Sequence, residues 1–245
     1  MKIEEILQSY ANREVLSSMH NLRWDVFINR LNWKDGLLAV NYMEIDNFDY
    51  GDCVYLGHKN QDNKITASVR LIPTNKPYMI KQSYPQFVFD SNCPDSNNIY
   101  EISRFCFLAS DASMSSSPAA YLAAACIEYG LQHNIQKFIA LTNLSVKRMI
   151  ERVGWDPTPI GAPQKTPDSV TSIVCEYSVN EEILSHIKQK NGIEYDVLVP
   201  TNTNQKLLSL YNENKASNDH STENDLFFKN YIYEKSKYKT CNQCH

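Results

Sequence analysis

The stretch Ser117–Thr142, SPAAYLAAACIEYGLQHNIQKFIALT, decides the fold class of this chain. Ser117 can accept a hydrogen bond from the free amides of a helix start, and Pro118 suits the first helical position, so a helix is predicted over Ala119–His133. The β-branched and aromatic run Ile135–Thr142 then predicts a strand. A helix followed directly by a strand is typical of an α/β domain.

The flanking segments continue this alternation in both directions. Ile99–Leu108 predicts a strand before the helix, because it is rich in β-branched and aromatic residues. Ser145–Val153 predicts a helix that ends at Gly154, and Val170–Val179 predicts a last strand.

The N-terminal part has a different pattern. Ile3–Leu31 carries apolar residues at offsets of three and four, which predict one or two amphipathic helices. Three strand-like runs follow, at Leu37–Ile45, Cys53–His58 and Lys64–Leu71, and the turn-like Asn60–Asn63 joins the last two as a hairpin. We therefore predict one mixed-sheet α/β domain over residues 1–199 with helices on both faces, compatible with an N-acyltransferase-like fold.

Composition excludes several classes of protein. With 42% hydrophobic residues the 245-residue chain can bury a sizeable core, and a net charge of −4 gives no global field to attract nucleic acid. The start Met1–Glu5 leads into no apolar signal-peptide core, and the most apolar run, Tyr121–Ile127, is too short to span a bilayer. Seven cysteines without framework spacing indicate reduced thiols, so we expect a cytoplasmic protein without membrane contact.

The C-terminal residues 200–245 form a separate region. Thr201–Glu223 is rich in Asn, Ser and Thr and is expected to be a polar linker, and Leu226–Tyr233 is a short apolar segment of unknown role. The ending Cys241-Asn242-Gln243-Cys244-His245 matches a c-type haem attachment pattern. Haem attachment needs export and a second axial ligand, and four zinc ligands are not evident, so we expect neither a metal nor another cofactor. A zinc or redox role for Cys241 and Cys244 is the alternative that stays open.

Three groups of side chains are candidates for chemistry. The first is acidic: Glu44 and Asp46 at strand spacing, with Asp49 just after them. Carboxylates this close repel each other unless a cation compensates. A solvated strand end, a divalent-metal site and a site for a ligand amine all remain open.

The second and third groups carry cations. Arg70, Glu101 and Arg104 have apolar neighbours, so their charges are expected to be partly buried and paired, either as a structural network or as a functional one. Arg23 and Phe27 share a helix face, and Trp33 follows. Aromatic rings beside a cation can hold a nucleoside or a sulfonium, or they can be core.

In order and spacing these groups resemble the acyl-homoserine-lactone synthase (autoinducer synthase) family. The resemblance covers residues 1–195 and is strongest in five pieces: Leu22-Arg23 with Phe27 and Trp33, Glu44-x-Asp46-x-x-Asp49, Ser68-Val69-Arg70-Leu71 with Pro73-Thr74, Pro77-Tyr78-Met79, and Glu101-x-Ser103-Arg104-Phe105. It implies that the amine of S-adenosyl-methionine attacks an acyl thioester, and that the carboxylate of the same molecule then closes the lactone and releases methylthioadenosine. S-adenosyl-methionine is therefore a substrate and not a cofactor, and autoinducer-responsive transcription regulators would read the product.

The resemblance also implies roles for the residues. Glu101 would act as the base and Arg104 would hold the substrate carboxylate. The remaining members of the site would be Arg70, pairing with Asp46 or Asp49 and orienting them towards the amine, Glu44 beside them, Phe27 and Trp33 on the adenosine, and Arg23 ordering an N-terminal lid.

The acyl donor has two candidates. An acetyl-CoA-dependent N-acetyltransferase of this fold needs a glycine-rich turn for the pyrophosphate, and Phe107–Glu128 contains no glycine, which favours a donor carried on acyl carrier protein. Lys147, Arg148 and Arg152, with Lys188 and Lys190 nearby, would dock this acidic carrier, although a solvated helix face explains them equally well.

Apolar residues would set the acyl length. The candidates are Met79, Phe105, Leu122 and Phe138, for which core packing is the alternative. Thr142 stands where members of the family that make 3-oxo products carry a threonine, so some preference for 3-oxo chains is expected. A non-enzymatic scaffold or binding module remains the alternative if the charged residues are purely structural.

Overall fold

The computed structural model describes residues 1–7, 11, 13–33, 38–50, 53–108 and 117–199, with the backbone alone for 38–40. The predicted linker Thr201–Glu223, the apolar segment Leu226–Tyr233 and the cysteine pair Cys241 and Cys244 lie outside these residues. Among the helices in the described ranges, none combines the length and the apolar character needed to cross a membrane.

Ten strands and five α-helices make up the described part of the chain. The strands are β1 (Glu4–Leu7), β2 (Leu38–Val40), β3 (Met43–Ile45), β4 (Val54–Lys59), β5 (Ile65–Pro73), β6 (Ile99–Phe107), β7 (Lys137–Asn143), β8 (Thr158–Pro159), β9 (Gln164–Lys165) and β10 (Thr171–Ser178). The helices are α1 (Arg13–Arg23), α2 (Met79–Ser83), α3 (Pro118–Gln132), α4 (Leu144–Val153) and α5 (Glu181–Lys190). A π-helical segment, Trp24–Arg30, continues α1.

The main sheet is mixed. Its strand order is β1-β4-β5-β6-β7-β10-β8, with β9 also pairing with β10. All pairs are antiparallel except the central pair β6 and β7, which is parallel. This parallel ladder joins only Ile99–Glu101 to Lys137–Ile139, although both strands continue beyond it. The C-terminal halves of β6 and β7 are therefore separated by a gap.

Helices cover both faces of the sheet, as predicted. The α3-side core contains residues of α3, α4 and α5, including Leu122, Ile150 and Ile187. The α1-side core, on the opposite face, contains Leu16 and Met19 of α1. Because successive residues of a strand point to opposite faces, neighbouring β7 residues divide between these two cores.

Several predicted boundaries are confirmed by cap geometry. The Ser117 hydroxyl accepts a hydrogen bond from the amide of Ala119 at 3.3 Å, with Pro118 at the first helical position of α3. Gly154 ends α4 with a φ of 107°, a left-handed conformation that favours glycine. The Asn60–Asn63 turn joins β4 and β5 as an antiparallel hairpin.

Two predictions for the N-terminal part were wrong. Leu37–Ile45 is not one strand, because Asn41 and Tyr42 both have positive φ (50° and 61°) and fold the run into the small hairpin β2–β3. This hairpin forms its own two-stranded sheet. Ile3–Leu31 is not entirely helical, because Glu4–Leu7 forms β1 on the edge of the main sheet beside β4. Helix α5 and the short strands β8 and β9 were not predicted.

Candidate active site

A β-bulge in β6 places two consecutive side chains on the same side of the sheet. Ser68 pairs with Cys106 and Arg70 with Ser103, so the single residue Val69 on β5 opposes two residues, Arg104 and Phe105, on β6. The extra residue is Arg104, whose φ of 52° is rare for a side chain of this size and costs about 1–2 kcal/mol. Both Ser103 and Arg104 consequently reach the same charged cluster, because Ser103 Oγ accepts from Arg70 Nε at 3.0 Å.

Asp49 lies at the centre of this cluster and is 5% exposed. Arg23 Nη1 and Nη2 donate to its two oxygens at 2.7 and 2.9 Å, and Arg70 Nη1 donates at 2.8 Å. The Tyr55 hydroxyl and the Asp46 amide also donate to it, at 2.6 and 2.8 Å. A carboxylate has about four lone-pair positions, so these five donors occupy its acceptor capacity.

Asp46 and Glu44 are held in the same way. Asp46 binds Arg70 through two contacts of 2.5 and 2.9 Å and Arg104 through one of 2.6 Å. The Glu44 carboxylate accepts a hydrogen bond from Arg23 Nε at 2.5 Å. It also accepts from Arg104 Nε at 3.1 Å and from Arg104 Nη2 at 3.0 Å. The predicted pairing of Arg70 with Asp46 or Asp49 is confirmed, since Arg70 pairs with both.

Three carboxylates and three guanidiniums thus compensate each other. Burial opposes ionisation of Asp49, but Arg23 and Arg70 outweigh it and hold the pKa of this carboxyl well below its usual range. For Glu44, Arg104 and Arg23 likewise outweigh burial and lower the pKa. The solvated strand end is therefore wrong as an explanation of the acidic run. Within the described ranges no group of three or more His, Cys, Asp or Glu side chains is arranged to hold a metal ion.

Glu101 differs from the other carboxylates. It is fully buried on β6, and its Oε2 accepts a hydrogen bond from the Ile80 amide at the start of α2 at 2.7 Å. Its Oε1 accepts no hydrogen bond from any described residue. Burial raises the pKa of Glu101 to about 7, against the opposing influence of the Ile80 amide and Arg70. It is therefore a carboxyl with a free acceptor atom that titrates near neutral pH.

The aromatic candidates lie next to Arg104. Phe27 and Trp33 stack with ring centroids 5.0 Å apart, and the Arg104 guanidinium carbon lies 5.7 Å from the Phe27 ring centre. Phe27 is in the π-helical segment and is buried, whereas Trp33 is partly exposed. Arg23 ends α1 with no exposed surface, so it is part of the buried cluster, and its role in ordering an N-terminal lid stays a prediction.

The acyl-pocket candidates do not lie on one side of the sheet. Phe105, Leu122 and Phe138 belong to the α3-side core or pack against it. Met79 packs against the α1-side core, where its sulfur is 3.8 Å from Arg104 Nη1. Thr142 is buried on β7, and its hydroxyl donates to the Asn143 carbonyl at 3.3 Å.

The basic candidates on α4 differ in their availability. Lys147 is partly buried and forms an ion pair with Glu151, whereas Arg148 and Arg152 are exposed. Of the two lysines expected nearby, Lys188 is held by Glu128 and Asp196. Lys190 is exposed and lies beside Gly154, at the C-terminal end of α4.

Sequence reasoning missed three residues that complete the cluster. Ser103 belongs to the motif Glu101-x-Ser103-Arg104-Phe105 but has no predicted role, and Tyr55 lies in the predicted strand Cys53–His58. His20 lies in α1 with 2% exposure, and its Nδ1 is 2.9 Å from the Glu44 carbonyl oxygen. The available signal was its helical offset from Arg23, which places both side chains on one face of α1.

The fold and the site together define an N-acyltransferase-like α/β protein. Its central parallel strands separate beside a buried carboxyl that is free to accept a proton. Comparison with known proteins identifies the family within this class. A profile of the autoinducer synthase family matches residues 8–187.

Individual relatives agree with this match. The acyl-homoserine-lactone synthase of Pseudomonas aeruginosa is 29% identical over 154 residues, 61% of this chain and 76% of the relative. That of Acinetobacter nosocomialis is 28% identical over 183 residues, 71% of this chain and 98% of the relative. The solved structure of the CoA-dependent acyl-homoserine lactone synthase BjaI, with SAM and isopentyl-CoA, has a TM-score of 0.72 at 22% identity, covering 81% of this chain and 92% of that one. The chain belongs to the autoinducer synthase family and is an acyltransferase that synthesises acyl-homoserine lactone.

Proposed function

We propose that the enzyme transfers an acyl group from acyl carrier protein to the amine of S-adenosyl-methionine and closes the product to N-acyl-homoserine lactone, with release of methylthioadenosine. The observation that carries this proposal is the free Oε1 of Glu101 in a site where the other carboxylates are already paired. BjaI, which shares the fold, was solved with S-adenosyl-methionine, and this supports the choice of acceptor.

Glu101 is the proposed base, directly or through a water molecule. The substrate amine is cationic in water and must lose a proton before its nitrogen can attack the thioester carbonyl carbon. Glu101 takes that proton, the new amide bond forms, and the carbon–sulfur bond of the thioester breaks to release the carrier thiol. A substrate carboxylate oxygen then attacks the carbon attached to the sulfonium, which leaves as methylthioadenosine.

Arg104 is the proposed ligand of the substrate carboxylate. Its Nε and Nη2 are held by Glu44 and Asp46, whereas Nη1 donates to Met79 Sδ, a weak acceptor, at 3.8 Å. A guanidinium fixed on one edge presents the N–H groups of Nη1 with little loss of conformational entropy when the substrate binds. Trp33, stacked on Phe27 and partly exposed, would pack on the adenosine.

In this proposal Asp46 and Asp49 orient arginine side chains; they do not take the role that the family resemblance implies, which is to face the substrate amine. Their acceptor positions are filled by protein donors, which argues against direct contact with the substrate amine. They instead fix Arg70 and Arg104, and removing one of them would leave the buried guanidiniums with one compensating carboxylate too few.

The gap between β6 and β7 is the proposed path of the acyl donor. A chain that enters this gap can contact Phe105 on one side of the sheet and Met79 on the other. The absence of glycine from Phe107–Glu128 and the exposed Arg148 and Arg152 support acyl carrier protein over free CoA. BjaI is described as CoA-dependent, so the donor needs its own test.

Thr142 is the proposed determinant of a 3-oxo preference. Its hydroxyl bond to the Asn143 carbonyl is long, 3.3 Å, so the hydroxyl could turn to donate to a 3-oxo group on the acyl chain.

Because both substrates are cytoplasmic metabolites, we also assign the enzyme to the cytoplasm, with its product read by autoinducer-responsive transcription regulators.

Reconstitution with purified components tests the proposal. The full chain is incubated with S-adenosyl-methionine and either acyl carrier protein or CoA carrying the same acyl group, and the products are quantified by mass spectrometry. We expect equimolar acyl-homoserine lactone and methylthioadenosine, with a higher kcat/KM for the carrier-bound donor. Equal or higher kcat/KM with acyl-CoA would contradict the donor assignment, and absence of lactone with both donors would contradict the reaction.

A further inference from the structure

The β2–β3 hairpin carries Glu44, a member of the charged cluster, but the hairpin is not part of the main sheet. Among the residues that the structure describes, strand β3 pairs with β2 alone, in a separate two-stranded sheet. Glu44 on β3 nevertheless holds both Arg23 and Arg104 and is itself fully buried. The direction of the Arg104 guanidinium therefore depends on a strand that the main hydrogen-bond ladder does not fix.

His20 provides a main-chain anchor for this strand. It lies in α1, one helical turn before Arg23, and its Nδ1 is 2.9 Å from the Glu44 carbonyl oxygen. A carbonyl oxygen can only accept, so Nδ1 carries the hydrogen and donates it. Burial and the neighbouring Arg23 lower the pKa of His20, which keeps the ring neutral at pH 7 despite the Asp49 and Glu44 carboxylates nearby.

We propose that His20 is a positioning residue for the amino-acid end of the substrate. By holding the Glu44 main chain, it fixes the Glu44 carboxylate, and this carboxylate directs Arg104 so that Nη1 points to the substrate carboxylate. This inference rests on the role of Arg104 in the proposed function. It adds a residue of α1 that contacts neither substrate.

The proposal distinguishes the two substrates. Loss of the His20 donor lets the Glu44 backbone shift and leaves its buried carbonyl unsatisfied. Arg104 then binds the carboxylate of S-adenosyl-methionine less well, whereas the β6–β7 gap that takes the acyl donor is formed by the main sheet and stays as it is. A purely structural role would instead lower the amount of folded enzyme and affect both substrates equally.

Four variants of the full chain test this inference. His20→Leu removes the donor at similar volume, and His20→Asn keeps an amide nitrogen at the same number of bonds from Cβ as Nδ1. His20→Gln carries the same amide one carbon further along. Leu16→Ala, in a buried apolar position one turn earlier on α1, is the control for a loss of stability without loss of the hydrogen bond.

Steady-state kinetics with each substrate varied in turn gives the result. For His20→Leu we expect kcat/KM for S-adenosyl-methionine to fall about tenfold, the change that corresponds to one lost hydrogen bond, with KM for the acyl donor within about twofold of wild type. His20→Asn should restore most of the loss and His20→Gln should not. Leu16→Ala should lower the Tm while keeping both KM values.

Three outcomes would overturn the inference: a parallel loss for both substrates, no difference between His20→Asn and His20→Gln, or wild-type kinetics in His20→Leu. If His20→Leu does not fold, the comparison of the Asn and Gln variants decides alone, because both side chains are polar amides. Failure of the proposed function has a different signature, since wild-type enzyme would then make no lactone from S-adenosyl-methionine.

Discussion

Replacing Glu101 by glutamine removes the proposed base but keeps the shape of the side chain and the ion pairs around it. Glu101 Oε2 accepts the Ile80 amide at 2.7 Å, and the glutamine carbonyl oxygen can keep that bond with nearly the same shape. The amide group that replaces Oε1 cannot take a proton from the substrate amine. The arginine–carboxylate pairs around it remain, because none of them uses Glu101.

Glu101→Gln should lower kcat strongly, whereas at high pH it should raise the free energy of unfolding relative to wild type. Removing a general base costs about 10²-fold or more in kcat, and KM for S-adenosyl-methionine should change little. The pKa of Glu101 is raised from 4.5 to about 7 in the folded protein, so folding is favoured by this group below pH 4.5 and loses that contribution as pH rises through 7. Once Glu101 is fully ionised, the free energy of unfolding has lost about 3 kcal/mol, which is the pKa difference between 4.5 and about 7 expressed as an energy.

Two assays measure these effects on the same pair of proteins. Lactone formation at saturating substrates gives kcat, and urea denaturation at pH 5 and pH 8 gives the free energy of unfolding. We expect Glu101→Gln to be nearly inactive at both pH values, and to gain stability over wild type on going from pH 5 to pH 8. Wild-type kcat in the variant, or a variant whose stability relative to wild type is the same at both pH values, would refute the reasoning.

Three further changes test other parts of the site. Asp49→Asn removes one of the two carboxylates that compensate each of Arg23 and Arg70, and should lower the free energy of unfolding by about 3–5 kcal/mol. Because the pKa of Asp49 in the folded wild type is held well below 3.8, this deficit, measured by denaturation at pH 7, should shrink as the pH falls through the folded pKa. Thr142→Ala and the isosteric Thr142→Val should both lower the share of 3-oxo product in mass spectra from mixed acyl donors, and an unchanged product profile would remove Thr142 from specificity. Reversing the charge of Arg148 and Arg152 to glutamate should raise KM for acyl carrier protein about tenfold, from roughly 0.7 kcal/mol per lost contact, while Lys64→Glu, just before β5 and outside the proposed docking helix α4, should leave it unchanged.

The sequence was most informative where local rules act alone. The Ser117 cap, Pro118 and Gly154 predicted the ends of two helices, and the structure confirms them. The order of strands and helices predicted the mixed sheet, because hydrophobic periodicity and turn residues agree with the tertiary structure over this part of the chain.

The hairpin β2–β3 shows where such rules fail. The run Leu37–Ile45 has continuous strand character, and nothing in its periodicity marks Asn41 and Tyr42 as left-handed. Asparagine tolerates this conformation, but tyrosine adopts it at a cost of about 1–2 kcal/mol. Tyr42 contacts Trp24 edge to face, with ring centroids 5.1 Å apart, and that contact is tertiary.

The sequence predicted which residues form the site, but it did not predict which of their carboxylates are paired and which one is free. The order of charged residues predicted that they converge. Which carboxylates are saturated and which one is free depends on the bulge at Arg104 and on donors such as Tyr55 and the Ile80 amide. These are distances in space that no spacing in the chain records.

The most direct test of the account is the ionisation of Glu101 itself. The full chain is labelled with ¹³C at glutamate side-chain carboxyls, the Glu101 signal is assigned by its loss in Glu101→Gln, and its chemical shift is followed by NMR from pH 4 to pH 9. We expect a midpoint of about 7, as required of a buried carboxylate with a free acceptor atom. A midpoint of about 4.5, the value of an ordinary glutamate, would contradict the assignment of Glu101 as the base.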